Sequence, residues 1–309
     1  NQSGGATCAV IMEGVSRDPC FLFKTLIELG QFLQWAKNNF QNFKKAAEKT
    51  TRHGKLHDIK YTCEGNNVHM KCIYTTADAS GQNIVTIATE HLMEYIMENS
   101  PVKPHASFIE GGMSGDKKAN PSVLANVRGR RVIAEVTIPR AVIETTLHAT
   151  PEQLMQTANL GYRGIILLGM SGANLHFANA ITAMAIATGQ DPACASESHI
   201  GLSRCEMTAD GNIYCSVTLP NIMCATVGGG TKLPSQRACL EIMGLYGAGK
   251  ANALAEVTAA VCMAGELSLG AAVVSGDFAK AHKILARDTS VPINMAEDPL
   301  DEAFDKAQA

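Results

Sequence analysis

The chain has 309 residues, 46% hydrophobic and 18% charged, enough for one large or two modest cores; a net charge of −3 and a pI near 6.3 exclude the basic field that nucleic acid or anionic membranes select. Its 10 cysteines (Cys8, Cys20, Cys63, Cys72, Cys194, Cys205, Cys215, Cys224, Cys239 and Cys262) form no Cys-x-x-Cys pair, which implies neither a zinc site nor a disulfide framework and fits a reducing compartment. No apolar run approaches the roughly 20 residues that span a bilayer, and Asn1-Gln-Ser-Gly-Gly5 is not a signal peptide, so the expectation is a soluble, cytoplasmic protein whose non-Met start looks like the middle of a larger one.

Along the chain, residues 21–49 place apolar side chains at helical spacing and end in a Lys-rich stretch, predicting an amphipathic helix. Strands at 57–62 and 68–75 follow, joined by a tight turn at Asn66-Asn67, and a helix at 83–99 closes this part before Pro101 and Pro104. Helix, strands and helix in that order predict a small α+β module. From about residue 109 the composition shifts to Gly, Ala and β-branched residues. There the pattern predicts strands at 131–138, 164–168 and 212–218, and helices at 139–147, 151–159, 174–188, 234–246 and 250–285, a larger domain.

Several short motifs carry chemistry. Asp116, Lys117 and Lys118 follow Gly111, Gly112 and Gly115 in a loop able to set a lysine against a ligand, where it would stabilise a developing oxyanion; alone, such a stretch is the usual solvated turn. Gly189-Gln190-Asp191 ends a charge-free helix, and an aspartate there needs a partner or serves as a cap. His176 and Asn179 lie one helical turn apart and can face one cleft. Gly228-Gly229-Gly230-Thr231 before Pro234 offers backbone amides to a phosphate or nicotinamide, and Asp78–Asn83 offers small residues and an amide for a second cofactor loop. Gly244–Lys250 imitates a phosphate-binding loop, but Ala251 stands where a magnesium-binding hydroxyl is required, and no Gly-x-Gly-x-x-Gly follows a strand. His282 sits near a helix end, where the dipole favours a protonated imidazole.

Taken in order, these segments resemble the catalytic portion of 3-hydroxy-3-methylglutaryl-coenzyme A (HMG-CoA) reductase of the eukaryotic and archaeal type. The stretches are Gly14-Val-Ser-Arg-Asp-Pro19, Thr50-Thr-Arg-His-Gly-Lys-Leu56, Asp78–Asn83, Ser114–Lys118, His176-Phe-Ala-Asn179, Gly189–Asp191, Thr226-Val-Gly-Gly-Gly-Thr231, Met263-Ala-Gly-Glu-Leu-Ser-Leu269 and Ala281-His282. The resemblance implies an α+β fold: a large helix-centred substrate domain (1–18 and 109–309) with an inserted small ferredoxin-like NADP-binding domain (19–108). It implies Lys117, Asp191 and His282 as catalytic residues: oxyanion stabilisation, the network tuning the lysine, and protonation of the departing thiolate. Thr51, Arg52, Asp78, Ala79, Gly81, Asn83, Gly228, Gly229 and Gly230 would hold NADPH, with Arg52 suited to the 2′-phosphate. Arg17, Asp116, Lys118, His176 and Asn179 match substrate-side positions, and no metal is called for. The reaction implied is a two-hydride reduction of HMG-CoA to mevalonate and CoA through a hemithioacetal and an aldehyde, at sites formed between the subunits of a homo-dimer or tetramer.

The chain departs from the family pattern in three places. The family's catalytic glutamate lies in a Thr-Thr-Glu-Gly segment upstream of the position held by Gly4-Gly5, so these 309 residues do not include it, and neither Glu13 nor Glu64 replaces it. Asn159 stands where many relatives have a substrate-binding lysine, and Gly112 where many have Asn. A fragment, a second polypeptide supplying the segment, or a homologue acting on another acyl-CoA or only binding NADP or CoA would each account for this. Arg287-Asp288 occupies the place of a regulatory phosphoserine in some relatives, and no such switch is expected.

Overall fold

The computed structural model describes residues 2–287; Asp288 lies outside them. Its first strand belongs to two sheets at once. β1 (Thr7–Arg17) pairs antiparallel through Thr7–Gly14 with β6 (Gly129–Ile138), with a bulge between Val10 and Met12, and through Val15–Arg17 with β4 (Asn67–Thr75). β2 (Cys20–Leu22) continues along the same edge of β4, β5 (Ala106–Phe108) adds beyond β2, and β3 (Lys55–Glu64) pairs with the far edge of β4. The strand order on this side is β5-β2-β4-β3, all antiparallel.

Helices α1 (Leu26–Asn38) and α2 (Phe40–Glu48) connect β2 to β3, and α3 (Gln82–Asn99) connects β4 to β5. The strict alternation of β4 buries Val68, Met70, Cys72 and Tyr74 on one face. Phe21, Phe32, Phe43 and Leu92 fill the space against them, and the Tyr74 hydroxyl is satisfied by Thr89 Oγ1 at 2.9 Å. One helix was expected over 21–49. Instead Cys20–Leu22 is a strand, and Asn39 separates α1 from α2: its amide donates to the Trp35 carbonyl (2.8 Å) and its side-chain oxygen accepts from Asn42 (3.0 Å).

The other side is built on β6, β8 (Ile213–Ile222) and β7 (Leu202–Met207), in that order from β1. Around it lie α4 (Arg140–Thr146), α5 (Pro151–Leu168), α6 (Phe177–Thr188), α7 (Ala195–Ser198), α8 (Pro234–Ile242), α9 (Ala251–Ser275) and α10 (Asp277–Arg287). Gly276, at φ +77°, breaks the expected 250–285 helix into α9 and α10. α9 has 25 residues, an 18-residue window of which has a mean hydropathy of 1.8, so by length and composition alone it is long and apolar enough to cross a membrane, contrary to the expectation that no run was. Here Leu254, Ala255, Thr258, Ala259, Cys262 and Met263 form a buried stripe at three- and four-residue spacing, packed with Val132, Val217, Phe177 and Ile181.

Residues 164–168, expected as a strand, are the last turns of α5. A full capping box at Thr150 and Gln153 starts the helix and Gly169 in the left-handed conformation ends it, so Gly161 and Gly164 do not interrupt it. The apolar run is instead an open face: Ile166, Leu167 and Leu168 are 76%, 88% and 78% exposed. Between α5, α9 and β7–β8 lies an apolar groove of about 430 Å³, lined by Leu154, Ile165, Val217, Met263 and Leu267 among others. Cys205 and Cys215 face each other across the β7–β8 ladder as a disulfide at the floor of this groove, a pairing that the scattered cysteine pattern did not suggest.

Candidate active site

Lys117 and Asp191, 74 residues apart in sequence by their numbers, meet through Nζ and Oδ2 at 3.0 Å, each side chain 40% exposed. The hydrogen bond that its ammonium donates to Asp191, with help from Asp116, holds the lysine above its ordinary range against the opposing cost of burial. Local structure brings them together. Gly189 ends α6 at φ +70°, and a Cβ there would lie 2.4 Å from the Gly230 carbonyl, so the two glycine motifs approach backbone to backbone. The Gln190 side chain then clasps Ala225, donating to its carbonyl (3.0 Å) and accepting from its N–H (2.7 Å). Asp191 caps the following 3₁₀ turn, Pro192–Cys194, by accepting from the Ala193 N–H at 3.0 Å. The capping role and the lysine partner were alternatives in the sequence; the one carboxylate fills both.

Lys117 adopts φ +56°, a conformation costing a non-glycine residue about 1–2 kcal/mol. The loop that imposes it is pinned from several directions. Ser16 Oγ donates to the Ser114 carbonyl (2.8 Å), Ser114 Oγ accepts from the Asp116 N–H (3.2 Å), and the Lys117 N–H donates to Glu197 Oε1 (3.2 Å). Arg128, almost fully buried, forks between Asp116 Oδ1 (2.9 Å) and Glu197 Oε1. Arg17 joins Asp116 Oδ2 (3.4 Å) to Glu110 (3.1 Å). Burial pushes the Glu197 carboxyl up, and the Arg128 guanidinium opposes that shift. The sequence had placed Arg17 and Asp116 on the substrate side; both carry ion pairs that fix the loop. Lys118 is exposed, its Nζ on the Asp116 carbonyl at 3.0 Å.

His176 heads α6, its Nδ1 3.4 Å from the Asn179 amide, and its ring lies over Gly265 of α9, where a Cβ would sit 1.9 Å from the imidazole. Glu266, one residue on and buried, accepts from the N–H groups of Leu175 (2.8 Å) and His176 (2.5 Å) at the start of α6; burial pushes its carboxyl up and these bonds restrain it. Asn159 is exposed on α5. His282 is exposed on α10. Its Nδ1 faces the Phe278 carbonyl at 2.7 Å, so that nitrogen carries the proton. Among the described residues it makes no hydrogen bond to Lys117 or Asp191, so the structure joins two of the three expected catalytic groups and leaves the third apart.

The expected cofactor residues fall into two groups. Arg52 and Asn83 are exposed, Ala79 is half-buried, and Thr51 Oγ1 accepts from the N–H groups of His53 (3.1 Å) and Gly54 (2.8 Å), shaping the loop that presents Arg52. Gly228 and Gly229, both at positive φ, have no atom within 4 Å of a notional Cβ, and Gly230 backs onto Gly189. A guanidinium without an ion-pair partner among the described residues and an open glycine cradle suit a phosphorylated dinucleotide. Asp78 and Gly81 do something else. Asp78 accepts from the N–H groups of Gly249 (2.8 Å) and Ala251 (3.1 Å) at the head of α9; burial raises its pKa, but these bonds outweigh that and hold it below the ordinary aspartate value. Gly81, at φ +84°, leaves no room beside Thr76, where a Cβ would lie 2.3 Å away. Glu197, Arg128 and Glu266 were missed. Glu266 lay inside the Met263–Leu269 stretch of the resemblance without a role of its own; for Glu197 and Arg128 the only signal was charge, in the otherwise uncharged Pro192–Ser198 and at the head of a strand.

A profile of the hydroxymethylglutaryl-coenzyme A reductase family matches residues 1–287. The 3-hydroxy-3-methylglutaryl-coenzyme A reductase of Pyrococcus horikoshii is 38% identical over 293 residues, 93% of this chain and 71% of the relative. The enzyme of the same name from Methanocaldococcus jannaschii is 38% identical over 291 residues, 92% of this chain and 71% of the relative. Reductase 2 of Dictyostelium discoideum is 34% identical over 307 residues, 96% of this chain and 58% of the relative. Among solved structures, the class II 3-hydroxy-3-methylglutaryl-CoA reductase of Streptococcus pneumoniae, bound to NADPH in open conformations, superimposes with a TM-score of 0.68 at 18% identity, covering 89% of this chain and 74% of that chain; this likeness speaks to the fold.

Proposed function

The chain belongs to the hydroxymethylglutaryl-coenzyme A reductase family, and from that premise we propose that it reduces HMG-CoA to mevalonate and CoA in isoprenoid precursor synthesis, using NADPH. The observation that carries the reading is the Lys117–Asp191 pair at 3.0 Å on a rigidly held loop. Reduction of a thioester carbonyl places negative charge on its oxygen, and a fixed ammonium offsets that charge most where it is largest, in the transition state. Asp191 pushes the lysine's pKa further up and holds its ammonium in place. His282, with Nδ1–H on the Phe278 carbonyl, has Nε2 left to carry a proton to the departing thiolate. Arg52 and Gly228–Gly230 would hold the phosphates of NADPH, which when bound supplies the hydride. Asp78, Gly81 and Thr51 shape the loops around it, with Ala79 and Asn83 beside them. Lys118, His176 and Asn179 would line the substrate side, with Arg17 and Asp116 fixing the Lys117 loop beside them.

Residues 19–108 are read as the NADP-binding insertion, of ferredoxin-like topology, and 1–18 with 109–309 as the substrate domain. The β5-β2-β4-β3 order with helical crossovers on either side of the β3–β4 hairpin supports that division. The chain is read as cytoplasmic and its working form as a homo-oligomer; the open apolar face of α5 supports the second of these.

The test is loss of NADPH absorbance that requires HMG-CoA. Lys117→Ala is expected to lower kcat at least about 100-fold with NADPH affinity within about twofold and melting unchanged. NADPH binding without turnover by the unaltered chain would favour a binding relative or a requirement for the upstream glutamate segment, and turnover only with another thioester a different reductase. Near-full activity in Lys117→Ala would remove the lysine from the mechanism.

A further inference from the structure

One short segment holds Lys117 at both ends. Asp191 takes its ammonium at 3.0 Å, and Glu197, six residues later on α7, accepts its backbone N–H at 3.2 Å. The residue so gripped is one of three non-glycine residues at positive φ among those described. Glu197 is fully buried and Arg128 is 2% exposed, so neither reaches substrate. Arg128 nevertheless ties Glu197 to Asp116, the residue before Lys117, which fixes the peptide on that side. A buried carboxylate is costly without such pairing, and one placed to serve a strained loop amide is hard to explain by packing.

We propose that Glu197, braced by Arg128, is a positioning residue: it holds the Lys117 peptide in its left-handed conformation and so delivers the ammonium to Asp191 and the reacting oxygen. This rests on the reading of Lys117 as the oxyanion-stabilising group. The titratable groups facing Lys117 are Asp191, Asp116 and Cys194 around its side chain and Glu197 at its backbone. Positioning and acid chemistry predict opposite rankings of two conservative variants. Glu197→Asp keeps the charge and withdraws it by about 1.5 Å, too far to serve both Arg128 and the Lys117 N–H. Glu197→Gln keeps the reach and an acceptor and loses the charge. A proton donor would tolerate Asp and fail as Gln.

The expected result is a kcat lowered about tenfold or more in Glu197→Asp and within about threefold of the unaltered chain in Glu197→Gln, with the KM for NADPH within about twofold in both. Melting is measured on each variant so that activity is compared in folded protein. In parallel, NMR of labelled lysine follows the Lys117 side chain directly: it should titrate above the ordinary lysine range in the unaltered chain and return toward that range in Glu197→Asp. Unchanged kcat and unchanged titration in folded Glu197→Asp overturn the proposal, as does a Gln variant worse than the Asp variant. If Glu197→Asp does not fold, amide exchange in the unaltered chain decides: a protected Lys117 N–H is expected, and free exchange overturns the proposal. Absence of HMG-CoA turnover with the titration difference intact would remove the functional reading and leave the positioning in place.

Discussion

Asp191, 3.0 Å away, raises the Lys117 pKa, and the consequence for pH follows from the sign of the shift. A raised lysine pKa means that the pair's contribution is fully present below the unfolded value and is lost as pH rises through the folded one. Activity should therefore extend past the ordinary lysine range before it falls. Asp191→Asn removes the carboxylate that raises the shift, so the alkaline limb of the kcat profile should move to lower pH, checked by a pH series on both proteins; coincident limbs would separate Asp191 from the lysine. Lys117 and Asp191 were legible in the sequence because each sits in a short motif with glycine punctuation. Glu197 and Arg128 were not, because a buried ion pair between distant segments leaves no periodic trace. Asp78 was expected in a cofactor loop from its small and polar neighbours; the hydrogen bonds of its carboxylate to the head of α9 join segments too distant to leave a local pattern.

That bond makes α9 depend on a residue 173 positions before it in sequence. A carboxylate accepting the first N–H groups of a helix contributes about 0.5–2 kcal/mol. Asp78→Ala should lower the urea midpoint accordingly without changing the m-value, and the deficit should shrink in acid. The sign is that of a depressed carboxylate: its contribution is present above the ordinary aspartate range and is lost as pH falls through the lowered value. A deficit of equal size at acid and neutral pH would rule out capping. Among the elements, α3, α4, β3 and β4 follow the expected spans closely, because period and turn chemistry agree there. β1 and β7 escaped notice: β1 changes partner midway, so its burial does not alternate cleanly, and β7 is short and largely open. The 164–168 run was misassigned because apolar side chains on an unpartnered helix face look like a buried strand.

At the scale of the molecule, Leu160, Ile166, Leu167 and Leu168 expose more apolar surface along α5 than a solitary helix face in water favours, next to the 430 Å³ groove. If a second copy covers it, light scattering should report a dimer or larger, and Leu167→Asp with Leu168→Asp should shift the mass toward monomer; an unaltered mass in the double variant places the oligomer contact elsewhere. The sequence pointed to two parts but not to how they join, since a shared strand has no composition of its own. β1 is paired by Thr7–Gly14 to β6 and by Val15–Arg17 to β4. During synthesis, therefore, its second half finds its partner once residues 67–75 have emerged, while its first half waits for residues 129–138. Residues 20–108 include all four strands of the β5-β2-β4-β3 sheet and the helices between them, so that sheet has its strands before β6, β7 and β8 exist. The strand edge left waiting is the vulnerable point of a nascent chain, open to pairing with the wrong neighbour until β6 arrives.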